Sequence, residues 1–124
     1  MLVSLDDAVA RLRQGDVVAL PTETVYGLAG LALVPDTVEK IYALKGRPAN
    51  NPLIVHLPDR ERAEEIAHFN DSASRLCDLF WPGPLTIVLP KKEVVPRLLT
   101  GGGNTVALRS PAHPVFRQIL KELE

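Results

Sequence analysis

The sequence predicts a single α/β domain, and three observations support that fold class. Five short apolar runs of the kind that form strands alternate with segments whose apolar residues recur at helical spacing, which is typical of α/β domains. The length of 124 residues suits one domain. Hydrophobic residues make up 46% of the chain, which is enough for a packed core and argues against intrinsic disorder.

Charge and cysteine content exclude several classes of protein. The net charge is −1, which argues against a general nucleic-acid binder, since such proteins depend on many phosphate contacts. A lone cysteine, Cys77, excludes an internal disulfide and a multi-cysteine metal site, and it fits a reducing compartment. The first 14 residues are amphipathic rather than signal-like, and no apolar run approaches the roughly 18–20 residues of a membrane span. We therefore expect a cytoplasmic protein without a membrane contact.

The first half of the chain predicts two helices and two strands. Ser4 caps a helix that ends before Gly15, where a glycine suits the residue beyond the last turn. The apolar run 17–20 then predicts a buried strand. A second apolar run, 31–34, predicts another strand, and Asp36 is expected to cap the helix that follows.

The second half predicts three strands and three helices. Apolar runs bounded by Pro and Gly indicate the strands, and apolar residues at helical spacing indicate the helices. The expected strands cover 53–57, 85–89 and 105–109, and the expected helices cover 59–67, 71–80 and the segment from Val115 to Leu123.

A polar loop, 21–28, follows the first strand. It contains Thr22, Glu23, Thr24 and Tyr26, and ligands in open α/β sheets bind outside the carboxyl ends of strands. Threonine hydroxyls can both donate to and accept from a small polar ligand. The same hydroxyls would also serve a turn or a helix cap, so the residues alone leave both interpretations open.

A second loop, 45–52, places two cations close together. Arg47 presents a planar fork suited to phosphate or carboxylate, and Lys45 presents a point charge. Gly46 lets a ligand approach the backbone. The loop lacks both the P-loop pattern and the dinucleotide glycine pattern, so a phosphate would depend on side chains. A solvated basic loop is the alternative.

Two strand residues complete the candidate set. His56 lies inside an otherwise apolar strand, where a hydrogen-bonded core histidine is the alternative to a functional one. Thr105, Ala107 and Arg109 share one face of their strand by alternation. Arg109 is followed by Ser-Pro and is well placed for an anion, with a sheet-edge salt bridge as the alternative.

Four collinear segments resemble a known family. PTETVYGLAGLAL, KGRPANNPLIVH, FWPGPLTIVLP and TVALRSPAHPV occur in that order and closely resemble the YrdC-like family of threonylcarbamoyl-AMP synthases over about residues 3–120. The resemblance implies a twisted mixed β-sheet flanked by helices. It also implies that residues 1–124 form roughly the N-terminal three-fifths of one YrdC-like domain, with the C-terminal part of the domain missing.

The resemblance implies a nucleotidyltransferase reaction. L-threonine, bicarbonate or CO2, and ATP would give L-threonylcarbamoyladenylate and pyrophosphate, for the threonylcarbamoyladenosine modification of tRNA. Mg²⁺ would arrive with ATP as part of the substrate rather than in a protein metal site. Enzymes that act later in tRNA modification would be the downstream partners.

The functional residues of the family can be assigned to positions in this chain. By resemblance, the L-threonine contacts fall on Thr24, His56 and Arg109, and the ATP contacts fall on Arg47, Asn51 and Thr105. Lys45 and Arg47 would be the catalytic residues, since they would offset negative charge that develops on the phosphates.

The short length bears on activity and on oligomeric state, and the fold is compatible with two other functions. Part of the nucleotide-binding set would be absent, so we expect threonine binding to survive better than catalysis. A shortened sheet would expose an edge, which predicts a homo-oligomer. The alternatives are a carbamoyl-transfer domain that uses carbamoyl phosphate and ATP, and a non-catalytic module that binds RNA. Contact with tRNA or double-stranded RNA belongs to the second alternative.

Overall fold

The computed structural model describes residues 4–21, 26–46 and 53–123. Helices and strands are interleaved along these residues, as the sequence predicts. Their order is α1 (Leu5–Arg13), β1 (Val18–Pro21), β2 (Tyr26–Ala29), α2 (Pro35–Lys45), β3 (Ile54–His56), α3 (Arg60–Glu64), α4 (Asp71–Phe80), β4 (Thr86–Pro90), β5 (Thr105–Arg109) and α5 (Pro114–Glu122). Every helix within the described ranges is too short or too polar to cross a bilayer.

The described strands form two sheets. β1 and β2 pair antiparallel, with Val18 opposite Ala29. The other three strands lie in the order β3-β5-β4, in which β3 runs parallel to β5 and β4 runs antiparallel to it. The predicted mixed β-sheet flanked by helices is therefore confirmed.

The three-stranded sheet buries one of its faces. Side chains alternate between the two faces of a strand, so the inward residues are every second one. On the buried face they pack with residues of α2, α3 and α4 into the larger hydrophobic cluster; these sheet residues are Val55, Ile87, Leu89, Val106 and Leu108. The opposite face is more exposed, and it holds His56 and Arg109.

A second hydrophobic cluster joins the two ends of the chain. α1 contributes Ala8, Val9 and Leu12, and α5 contributes Phe116 and Ile119, with β1 alongside. The apolar residues of both helices recur at helical spacing, so burial of these faces stabilises helices of only 9 residues each. This cluster fixes α5 against the N-terminal part of the chain.

The predicted strand over 31–34 is wrong. These residues form a turn, in which the Val34 N–H lies 3.4 Å from the Leu31 carbonyl oxygen, and Leu33 and Val34 are exposed. The strand lies earlier, at Tyr26–Ala29, and overlaps the segment 21–28 predicted to be a polar loop. A short apolar run does not by itself define a strand, because pairing with β1 decides which residues extend.

The predicted cap of α2 is also wrong. The helix begins after Val34, with Pro35 in its first turn, and the Val34 side chain makes no capping hydrogen bond. Proline suits the first helical position because its ring presets the helical φ and its missing N–H would have no partner there. Asp36 therefore lies inside the first turn. The other predicted elements agree with the structure, although α3 is shorter than the expected helix over 59–67.

Candidate functional site at the carboxyl ends of β3 and β5

His56 and Arg109 lie side by side at the end of the parallel pair. His56 is the last residue of β3, Arg109 is the last residue of β5, and the two are Cα partners in the ladder. Neighbouring strands are about 4.7–4.9 Å apart, and partners across a ladder extend to the same face. Two of the three residues assigned to L-threonine are thus adjacent, although 53 positions separate them in the sequence.

Thr86 extends this pair to a row of three polar residues. It is the first residue of β4 and the Cα partner of Arg109 on the other side. Arg109 therefore lies between an imidazole and a hydroxyl at one end of the exposed face. Thr86 is not among the residues predicted from the sequence, although its position at the start of an alternating strand after two prolines is a usable signal.

One side of the His56 ring is covered by α5. The centroid of the His56 ring lies 4.8 Å from that of Phe116, and the two ring planes are tilted by 33°. His56 remains half-buried rather than fully enclosed. Its imidazole is therefore oriented by a core residue and is also reachable from the exposed face.

Arg109 is held through its backbone as well as its side chain. Its carbonyl oxygen accepts a hydrogen bond from the Leu57 N–H at 3.0 Å, which continues the β3–β5 ladder one residue beyond His56. The side chain is half-buried and makes contacts of its own. This arrangement places a delocalised positive charge at the edge of the core, where it is better shielded from water than a surface arginine.

An apolar row separates this polar row from Thr105. Ile54, Ala107 and Val88 are aligned across the three strands, and Ile54 and Val88 are exposed. Thr105 is exposed at the opposite end of β5. Four residues of strand span about 13 Å. Thr105, one of the three residues assigned to ATP, thus lies on the same face as His56 and Arg109, two of the three residues assigned to L-threonine.

Four of the assigned residues are described by the structure only in part or not at all. Thr24, Arg47 and Asn51 fall outside the described residues, and Lys45 is described only as the last residue of α2. Gly46 ends that helix in the left-handed region, at φ 60°, which favours glycine. The roles of these four residues stay predictions.

Cys77 is a packing residue, as the sequence predicts. Its thiol is free and buried in the larger cluster. Burial, with a smaller contribution from the neighbouring Asp78 carboxylate, raises the pKa of the thiol to about 11, against an opposing effect of Arg60. The thiolate is the reactive form of cysteine, so Cys77 is inert near neutral pH.

Comparison with known proteins shows extensive similarity over almost the whole chain. A threonylcarbamoyl-AMP synthase of Pyrococcus abyssi is 50% identical over 115 residues, which is 92% of this chain and 34% of the relative. A threonylcarbamoyl-AMP synthase of Bacillus subtilis is 46% identical over 117 residues, which is 93% of this chain and 34% of the relative. The chain thus spans about a third of the length of these two relatives.

The fold is shared with a solved structure. P. abyssi Sua5 complexed with L-threonine superposes with a TM-score of 0.93 at 48% identity, covering 96% of this chain and 35% of that one. The sequence profile of the Sua5/YciO/YrdC family, described as "Telomere recombination", matches residues 10–124. Because that match covers most of the sequence, the chain belongs to the Sua5/YciO/YrdC family.

Proposed function

We propose that this chain carries the L-threonine site of a threonylcarbamoyl-AMP synthase. The reaction would join L-threonine, bicarbonate or CO2, and ATP into L-threonylcarbamoyladenylate, with release of pyrophosphate. One observation carries the proposal: the strand register makes His56 and Arg109 direct neighbours at the carboxyl ends of two parallel strands. Ligands in open α/β sheets bind at such ends.

The chemistry of the polar row suits an amino acid with a hydroxyl side chain. A guanidinium can bind a carboxylate with two parallel hydrogen bonds, which favours Arg109 as the carboxylate partner. His56 and Thr86 can each donate or accept, so they suit the hydroxyl or the amine. The exposed apolar row beside them offers Ala107 and Ile54 as a surface for the methyl group.

The relatives support the same substrate. Proteins that are 46–50% identical to this chain bear the name threonylcarbamoyl-AMP synthase. The similar P. abyssi structure was solved as a complex with L-threonine.

We further propose that ATP, accompanied by Mg²⁺, binds toward Thr105, with Arg47 and Asn51 as further contacts. The threonine amine would attack the carbon of bicarbonate to give a carbamate with loss of water, or the carbon of CO2 with loss of a proton. A carbamate oxygen would then attack the α-phosphorus in line, with pyrophosphate as the leaving group. Lys45 and Arg47 would offset the charge that develops on the phosphates. The adenylate would then pass to tRNA-modifying enzymes of the cytoplasm, where a free thiol such as Cys77 is stable.

We also propose self-association along an exposed strand. Among the described residues, β3 and β4 are the outer strands of the three-stranded sheet. Residues 66–68 already bond the outer edge of β4 near Pro90, so β3 offers the freer edge, and unpaired edges favour pairing with another chain. Light scattering at micromolar concentration should report a dimer or a larger oligomer. A monodisperse monomer would contradict this.

Calorimetric titration with L-threonine tests the binding site. We expect Arg109→Lys, which keeps the charge but loses the fork, and His56→Ala each to weaken binding by about tenfold or more, since charge-assisted hydrogen bonds contribute about 1.5–3 kcal/mol. Arg97→Gln is the matched control, because Arg97 is exposed and lies outside the polar row. Equal affinity in all four proteins would refute the site.

Activity needs a separate measurement. Pyrophosphate release should depend on both L-threonine and bicarbonate, and it should be measured on this chain and on a version extended beyond Glu124. Release that depends on carbamoyl phosphate instead would favour carbamoyl transfer. Threonine binding without pyrophosphate release from this chain, with release from the longer version, is the expected outcome.

A further inference from the structure

A hydrogen-bond network ties together the loops that leave β3 and β5. The Ser110 hydroxyl donates to the Pro58 carbonyl oxygen at 3.0 Å. The Arg117 Nη1 donates to Ser110 Oγ at 3.2 Å and to the Pro111 carbonyl oxygen at 3.1 Å, and its Nη2 donates to the Pro58 carbonyl oxygen at 3.2 Å. Ser110 is only 1% exposed and Arg117 is half-buried, so the bonds that involve the Ser110 hydroxyl are the best shielded from water. We call this set of Pro58, Ser110, Pro111 and Arg117 the loop clamp.

The loop clamp is formed by residues that adjoin the polar row along the chain. Pro58 is two residues after His56, and Ser110 follows Arg109 immediately. The carbonyl oxygen of Ser110 also accepts the Gly83 N–H at 2.9 Å, three residues before Thr86. One buried serine is therefore bonded to segments adjoining all three strands that supply the polar row.

Arg117 contacts these segments from outside the proposed threonine site. It lines a cavity of about 390 Å³ together with residues of α3, α4 and the loop before β4, and that lining does not include His56, Thr86 or Arg109. Its neighbour on α5, Phe116, lies against the His56 ring. The start of α5 thus contacts the His56 ring through one residue and the two loops through the next.

We propose that Arg117 is a positioning residue that sets the separation of His56 and Arg109 and thereby the affinity for L-threonine. The inference rests on the proposed function. The physical basis is that a guanidinium donates charge-assisted hydrogen bonds in a fixed planar fork, which holds two carbonyl oxygens at a defined separation. Since those oxygens belong to the two loops, loss of the fork lets the loops move apart.

The test uses two readouts, one with and one without ligand. The imidazole NMR resonances of His56 report its surroundings in the free protein, and exposed His68 is an internal reference among the 3 histidines. Hydrogen exchange of the Leu57 amide reports the last bond of the β3–β5 ladder. Calorimetric titration then gives the L-threonine affinity.

We expect Arg117→Gln to shift the His56 resonances, speed Leu57 exchange and weaken threonine binding by about tenfold or more, as the loss of one charge-assisted hydrogen bond to the ligand would. Arg117→Lys should give values between those of the wild type and Arg117→Gln in all three measurements, because lysine keeps the positive charge but lacks the planar fork. The matched control is Arg60→Gln. Arg60 lines the same cavity but is paired with Glu64 and Asp78. In Arg60→Gln the His56 resonances and the affinity for L-threonine should therefore stay as in the wild type.

The outcomes separate this inference from the proposed function. If the wild type fails to bind L-threonine, the proposed function is wrong, and the His56 and Leu57 readouts of the free protein still decide whether the loop clamp acts. If Arg117→Gln does not fold, Ser110→Ala takes its place with the same expected shifts. A folded Arg117→Gln protein with wild-type His56 resonances, Leu57 exchange and threonine affinity would overturn the inference.

Discussion

The His56 imidazole packs against the Phe116 ring, with 4.8 Å between their centroids and 33° between their planes. Phe116 is itself buried in the cluster that joins α1, β1 and α5. The position of a predicted ligand-binding side chain is thus coupled to the packing of the N-terminal helix, through a contact between residues 60 positions apart.

Phe116→Leu should change the surroundings of His56 without unfolding the protein. Leucine preserves part of the apolar volume, so the loss of stability should be smaller than the roughly 3–5 kcal/mol of a complete Phe→Ala truncation. Loss of the ring should shift the His56 proton resonances and weaken L-threonine binding. Ile119→Val, in the same helix and cluster, is the control and should affect stability alone. Unchanged His56 resonances in Phe116→Leu would contradict this prediction.

Val34→Ser should stabilise the protein. Val34 is the N-cap of α2 in an extended conformation, and its apolar side chain makes no capping hydrogen bond. A serine hydroxyl there can accept a backbone N–H of the first turn, so we expect a gain of about 1 kcal/mol in the free energy of unfolding by urea. Val34→Ala, which shortens the side chain without adding an acceptor, separates capping from the removal of an exposed valine. Equal stability of the serine and alanine variants would contradict the capping argument.

Gly30→Ala should destabilise the protein because of one neighbour. A Cβ at position 30 would overlap the Thr37 Cγ2 methyl. Overpacking of this kind costs about 1–3 kcal/mol. Thr37→Ser removes this methyl and keeps the hydroxyl, which donates to the Gly15 carbonyl oxygen at 2.8 Å. In that background Gly30→Ala should therefore lower the free energy of unfolding by much less. Urea unfolding of the four proteins in this double-mutant cycle measures the coupling, and an additive result would contradict it.

Ionisation of the Cys77 thiol should lower the free energy of unfolding at alkaline pH. Its pKa in the folded protein is about 11, against 9.0 for an unperturbed thiol. Between these values the unfolded state has lost the thiol proton and the folded state retains it, so the free energy of unfolding decreases as pH rises from 9 to about 11. The loss should be on the order of 2 kcal/mol. Cys77→Ala removes this contribution and leaves other alkaline titrations in place. The two proteins should therefore differ in slope above pH 9, and parallel curves would contradict the prediction.

Local pattern was sufficient to predict most of the fold. Alternation in 105–109 identified both β5 and the face that carries Arg109, and the helical spacing of Val115 to Leu123 identified α5. It failed at β2. There the apolar run 31–34 resembled a strand, while the actual strand contains Tyr26 and Gly27. Propensity is a weak signal where pairing with a partner strand decides the conformation.

The candidate site, like the fold, was only partly predictable from the sequence. Residue types and motif order led to His56, Arg109 and Thr105, each of which the structure places on the exposed face of one sheet. Neither Thr86 nor Arg117 was identified, because their relevance comes from register and from hydrogen bonds between distant segments. A threonine at the start of a strand and an arginine on a helix are ordinary residues until their neighbours are known.

Local periodicity and the order of the motifs were enough to predict the fold class, the family and the residue types proposed for L-threonine and ATP. The strand pairing and the hydrogen bonds of the folded protein were needed to show that His56 and Arg109 are partners, that Thr86 extends their row, and that Arg117 bonds to the loops that follow β3 and β5. The physical reason is that strand register and buried hydrogen bonds join residues that are 7 to 59 positions apart, and no local pattern encodes which of many possible partners each residue meets.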